Sequence, residues 1–231
     1  EAREPLFQQI AKDWGVSRED LYLEDGAICL KDSDKTILVV DAIKKCRGLG
    51  ILTLGHGSFN PDATPLDPET GQGKAYGTYS FATHVAQVEV DTETGEVSIL
   101  KFVAINDVGK AINPRGVEGQ MEGGISMGLG HALMEEMVVD NEGVIQTPSF
   151  AQYLIPTSKD VPEEISVRII EDEEPSGPFG AKGVGEPASI PVTPAILNAI
   201  YDACGIRVTE LPATSERVFN ALRRKASGQK G

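Results

Sequence analysis

Cysteine is scarce and scattered. The three thiols, Cys29, Cys46 and Cys204, stand far apart in a chain of 231 residues with no CxxC pair. Local spacing therefore offers neither an iron–sulfur cluster nor a structural zinc. An odd, unpaired count points to a reducing compartment, and the cytoplasm is the expected location. Histidine is equally sparse: His56, His84 and His131 show no HxxxH or HxH spacing, so a metal held by protein side chains is not expected. No apolar run approaches the about 18 residues of a membrane span, and no membrane partner is expected. The first ten residues, EAREPLFQQI, are charged and helical in pattern and carry no signal peptide. No Met begins the chain, as expected of a processed or shortened piece. Lys and Arg number 21 against 35 Asp and Glu, a formal net charge of -14. A nucleic-acid binder needs a basic face to displace counterions, so that class is excluded, and a solvated acidic surface is the plain reading.

What is present is ordinary soluble composition, with 40% hydrophobic and 24% charged residues, enough for one large domain or two small ones. Residues 2–13 show helical spacing with Gly15 as a C-terminal stop, and Ser17 with Asp20 is a weak capping box. LYLEDGAICL reads as a hairpin turning on Asp25-Gly26. Residues 47–77 are rich in Gly, Pro, Asp and Thr and read as a long loop. HVAQVEV and VSILKFVAI, joined by DTETGE, form the clearest hairpin pattern. Helical periodicity covers residues 116–137, a further hairpin centres on residues 141–143, and EISVRIIED reads as a strand. Thr193 before Pro194 predicts a helix start, with an end near Gly205, then a short RVTE strand and a closing amphipathic helix, SERVFNALRRK. Helices and strands mix without strict βαβ alternation, so the expected class is α+β.

Two glycine-rich segments stand out. GQMEGGISMGLG, residues 119–130, places Gly123, Gly124, Gly128 and Gly130 in or at the start of a helical pattern. Each glycine costs roughly 1 kcal/mol against alanine inside a helix. Close approach of another backbone is one reason for them, and ligand binding at a helix N-terminus is a second. A tightly packed glycine helix without a ligand stays open beside these. Gln120 can both donate to and accept from a heterocycle edge. The second segment, GPFGAKGVGEP at residues 177–187, carries Gly177, Gly180, Gly183 and Gly185. It lacks the Gly-Lys-Ser/Thr ending of a phosphate loop and the strand–helix context of a dinucleotide fingerprint. Lys182 reads as a structural or charge-balancing residue. Glu186, between Gly185 and Pro187, suits proton transfer if the loop shields it from water, and is otherwise an exposed loop glutamate.

The run GPFGAKGVGEPASIPVTPAILNAIYDACGIRVTELPATSERV resembles the C-terminal signature of the xanthine dehydrogenase/aldehyde oxidase family of molybdenum hydroxylases. GQMEGGISMGLGHALMEE is similar to that family's cofactor-contacting segment. NDVGKAINP at residues 106–114 and ATHVAQVEVDTETGEV at residues 82–97 are similar to the strands and loop before it. The likeness covers nearly the whole chain in the family's order. It implies the C-terminal part of a molybdopterin-binding domain over residues 1–231, with a helix, hairpin and long loop over 1–80 and the cofactor-contacting and catalytic-loop region over 81–231.

In this family the molybdenum is held by a pterin dithiolene rather than by side chains. The resemblance implies Glu186 as the general base toward a water whose acidity the metal raises. It carries over Gln120, Gly123 and Gly124 as cofactor-binding residues, and Gly183, Val184 and Gly185 as residues passing near the metal and aiming Glu186. It also implies partners: the remainder of the molybdenum subunit, an iron–sulfur subunit with [2Fe–2S] clusters and an FAD subunit. The expected reaction is oxidative hydroxylation with oxygen from water. A purine is the leading substrate, on the flavour of QYLIPTSKDVPE, ahead of N-heterocycles and aldehydes. The GGGFG-type and FRG-type segments of the family are missing, so the chain alone is expected to be inactive. Where many relatives carry Asp-Tyr, it reads Gln152-Tyr153. The competing expectation is a non-catalytic interaction or scaffold domain of the same fold.

Overall fold

A computed structural model describes residues 1–228, which form two compact units divided between Asn60 and Pro61. In the first, helix α1 (Glu4–Trp14) opens with a proline in its first turn and stops where Gly15 turns left-handed. Strands β1 (Leu21–Glu24), β2 (Ala27–Leu30) and β3 (Thr36–Leu38) form an antiparallel sheet in that order. Asp25 and Gly26 take φ of 45° and 77°, the paired positive values of a tight hairpin turn. Helix α2 (Val39–Gly48) follows, and its Ala42 and Cys46 join Leu6, Phe7, Ile10 and Ile28 in one core. Neither β3 nor α2 is legible in the sequence. TILVV runs apolar straight across the strand–helix boundary, and a short apolar run fits either period. Ser17 accepts from the Glu19 amide and caps a single 3-10 turn, not a longer helix.

From Leu49 to Phe81 the chain carries no helix or strand, as its glycine and proline content predicts. In the second unit β4 (Ala82–Val90) pairs antiparallel with β5 (Val97–Asp107), which pairs in parallel with β6 (Glu164–Ile170). Helix α3 (Pro114–Leu133) lies in the connection between the two parallel strands. Its Asn113 side chain accepts from the Gly116 amide, so the helix starts earlier than its periodicity predicts and ends at Leu133. Helix α4 (Val192–Cys204) packs on α3 and β4. Phe102, Met121, Ile125, Leu129, Val192, Ile196 and Ile200 make the core between them. Helix α5 (Ser215–Ala226) closes the unit, capped by Thr214.

Three expectations are corrected. Thr193 does not cap α4, which begins at Val192; its hydroxyl donates to the Gly128 carbonyl of α3 at 3.1 Å. RVTE forms no strand, because Arg207 turns back onto α4, 3.7 Å from the Tyr201 ring centre and bonded to Asn198. The turn at residues 141–143 closes on a single bridge, Val139 to Ile145, with Asp140 accepting from the Glu142 and Val144 amides. The mixed architecture is α+β, as expected.

Candidate functional site

The glycines of α3 divide by face. A Cβ added at Gly124 would sit 2.7 Å from the Ala188 Cβ and 2.8 Å from its carbonyl carbon. One at Gly128 would overlap the Val192 side chain. These two glycines, one helical turn apart, let the segment after Glu186 and the start of α4 lie directly on α3. Gly123 is different: it is exposed, and an added Cβ would meet nothing within 4 Å. Gln120 lies one turn before it and is also exposed. All of these residues are inside the helix, several residues past its start at Pro114. A ligand site built on bare N-terminal amides is therefore not what Gly123 and Gly124 provide.

The GPFGAKGVGEP loop is pinned to the end of β5. Gly109 bridges Ala181, the Lys110 amide donates to the Gly180 carbonyl at 2.8 Å, and the Lys182 amide donates to the Val108 carbonyl at 2.9 Å. Gly109 has φ of 62°, and a Cβ there would overlap the Gly180 carbonyl. Only glycine serves at a left-handed position with a second backbone against it. Beneath this pairing the Lys182 ammonium lies 2.6 Å from Asp107, with side chains 5% and 7% exposed. Burial pushes the Asp107 carboxyl up. The Lys182 ammonium and the Gly109 amide outweigh it and hold the group below the usual carboxylate value. Lys182 is raised by the same bond. The structural role expected for Lys182 is thus realised.

Downstream, Asn106 is fully buried and donates its amide to the Pro187 carbonyl at 3.0 Å. The residue after Glu186 is thereby tied to the same strand end. Backbone turns close the segment, with the Ser189 and Ile190 amides donating to the Glu186 carbonyl. Glu186 is exposed, so the shielding from water considered for it does not come from the described residues.

Gln120 and the loop meet. Its Nε2 lies 4.0 Å from where a Cβ would stand on Gly185, although the two residues are far apart in sequence. Gly183, Gly185 and Glu186 also line an open groove with Tyr76, Thr78, Tyr79 and Ser80. Thr78 donates to Glu174 at 2.5 Å and Ser80 to the Gly183 carbonyl at 3.3 Å, fastening that segment to the loop. The hydroxyls of Ser176 and Thr78 and the Ser176 amide draw the Glu174 carboxyl down to about 2. Val184 is half-buried and packs on the main core.

Sequence reasoning missed Asn106, Asp107 and His84. A signal existed in Asn-Asp ending an alternating strand directly before Val-Gly, since polar residues at inward positions need partners. Among the described residues no group of three or more His, Cys, Asp or Glu could hold a metal, and no helix is long and apolar enough to cross a membrane. The surface around Gln120 fits a planar, hydrogen-bonding group. It offers an amide that both donates and accepts, beside Gly123 and Gly185, where no side chain fills the space.

The chain is similar to known proteins. The model of the molybdopterin cofactor-binding domain family matches residues 1–162. A probable xanthine dehydrogenase subunit of Bacillus subtilis (strain 168) is 36% identical over 231 residues, covering 98% of this chain and 30% of that protein. The aldehyde oxidoreductase molybdenum-binding subunit PaoC of Escherichia coli (strain K12) is 38% identical over 151 residues, 64% of this chain and 20% of its own length. Among solved structures, quinoline 2-oxidoreductase from Pseudomonas putida 86 superposes with a TM-score of 0.75 at 28% identity, covering 96% of this chain and 28% of that one. The chain therefore spans under a third of the length of these relatives.

Proposed function

The chain belongs to the molybdopterin cofactor-binding domain family, and from that premise we propose that it supplies one wall of the cofactor cavity in a molybdenum hydroxylase, with Glu186 as the general base. When bound, the molybdenum–pterin group supplies Lewis acidity toward water and takes up the electron pair removed from the substrate carbon. Gln120 binds the pterin through its amide. Gly123, Gly183 and Gly185 keep side chains out of the cofactor's path, Gly124 instead lets Ala188 lie against α3, and Val184 anchors the loop between Gly183 and Gly185. Glu186 accepts a proton at its carboxylate, and enclosure by the rest of the molybdenum subunit excludes bulk water from it.

The observation that carries this reading is the meeting of Gln120 with Gly185, next to Glu186. It supports the reading by setting a polar side chain beside the glycine that directly precedes Glu186. A purine is the proposed substrate. Support comes from the probable xanthine dehydrogenase subunit of Bacillus subtilis and from the probable hypoxanthine oxidase XdhD of Escherichia coli, 35% identical over 177 residues. Partner subunits would hold the [2Fe–2S] clusters and FAD that accept the electrons.

The test is Glu186→Gln in the assembled enzyme. Turnover should fall by about 10²–10⁴-fold, the usual contribution of a positioned base, while molybdenum and pterin content stay at the parent level. Turnover within about twofold of the parent would refute the role of Glu186. A natively purified complex free of molybdenum and pterin would favour a scaffold instead.

A further inference from the structure

Asn106 has a second partner besides Pro187. Its Oδ1 lies 3.0 Å from Nε2 of His84, on the neighbouring strand β4. The hydrogen-bond pattern fixes the two protons shared along this chain of groups. The Pro187 carbonyl only accepts, so Asn106 Nδ2 must donate to it and Oδ1 must face His84. Oδ1 in turn only accepts, so His84 carries its hydrogen on Nε2. Its Nδ1 is buried with no hydrogen-bond partner among the described residues, as the bare lone pair of that one neutral tautomer would be. Phe102 packs edge-on against the imidazole, 5.6 Å between ring centres and 87° between planes, and is itself fully buried.

We infer that Asn106 and His84 are positioning residues for Glu186: a neutral imidazole orients a buried amide, and that amide holds the carbonyl next to the carboxylate. The inference rests on the reading of Glu186 given above. Neither residue touches the reacting atoms. The logic is that of a clamp. Asp107 holds Lys182 four residues before Glu186, and Asn106 holds Pro187 one residue after it. Two adjacent residues of β5 thus fix both approaches to the carboxylate. Without Asn106 the Lys182 side still holds, but the Pro187 carbonyl loses its side-chain tie to β5, and the turn carrying Glu186 is left to its own backbone bonds and to the packing of Ala188 on Gly124.

The assembled enzyme carrying Asn106→Asp, His84→Leu or His84→Gln tests this, with Glu186→Gln alongside. Asn106→Asp keeps shape but loses the donor to Pro187. It should lower kcat by about tenfold or more with KM within about twofold, since small misplacements of a reacting group cost this much. Hydrogen exchange over residues 183–190 should quicken about fivefold or more, while β4 and β5 and the molybdenum and pterin content are unchanged. His84→Leu should act in the same direction. His84→Gln, whose amide can donate to Asn106, should restore most of the lost turnover and the slow exchange. Parent-like kcat and exchange in Asn106→Asp, with Glu186→Gln inactive, would overturn the positioning role alone. Activity retained in Glu186→Gln would overturn both readings. If Asn106→Asp does not assemble, the His84 pair decides: equal kcat and equal exchange in the Leu and Gln variants sink the inference.

Discussion

The Lys182 ammonium and the Asp107 carboxylate form an ion pair at 2.6 Å with almost no access to water. Charges desolvated this far stabilise only when both are present, because either one left alone is buried without compensation. Asp107 also accepts from the Gly109 amide, so the pair joins the glycine loop to the turn that receives it.

Lys182→Met should therefore destabilise more than the double variant Lys182→Met/Asp107→Asn, which removes both charges together. A double-mutant cycle in thermal denaturation of the assembled enzyme reads this directly. A double loss equal to the sum of the separate Lys182→Met and Asp107→Asn losses would show that the pair contributes no coupling.

Gly109→Ala puts a Cβ onto the Gly180 carbonyl and forces an alanine to φ of 62°. The left-handed backbone alone costs about 1–2 kcal/mol. Limited proteolysis should cut residues 177–183 faster in this variant, with α3 and the β4–β5 hairpin left intact.

Gly123 and Gly124 should separate cleanly. Gly123→Ala meets open space and replaces a poor helix former, so α3 gains up to about 1 kcal/mol. Under the cofactor-cavity reading the same methyl group intrudes on the ligand, and pterin content should fall even as the melting temperature rises. Gly124→Ala collides with Ala188 and should lower the melting temperature. Unchanged pterin content in Gly123→Ala would argue against a cofactor on that face.

Burial pushes the His84 imidazole below its ordinary pKa, and the bond to Asn106 opposes this only in part. A folded value below the unfolded one means the unfolded chain binds more protons between the two. The contribution is complete above the unfolded value of about 6.5 and is lost as pH falls through the folded value. Melting temperature should accordingly decline on acidification below about pH 6.5, and His84→Gln should flatten that decline. Asp107 acts in a more acidic window. Its lowered value preserves the Lys182 bond above the usual carboxylate range and surrenders it as pH falls further.

Most elements are legible where one signal dominates. The β4–β5 hairpin shows in strict alternation, α1 in its period and Gly15, and the first hairpin in Asp25-Gly26. The start of α4 is not legible, because Thr193-Pro194 has the form of a cap while its hydroxyl is taken by Gly128 of another helix. Short β3 and α2 share an apolar run with no punctuation between them. RVTE has strand composition but no partner strand, and composition alone does not make a ladder.

Composition and motif order determine the class, the two glycine segments and Glu186 as the residue to watch. Those features are local, written in residue type and spacing. Only the tertiary structure decides which glycine of α3 serves packing and which leaves open surface, since Gly123 and Gly124 are identical until Ala188 lies against one of them. It alone joins Gln120 to Gly185, Asp107 to Lys182 and His84 through Asn106 to Pro187. Hydrogen bonds and ion pairs reach only about 3 Å, so partners so distant in sequence meet only when the sheet and its helices have closed.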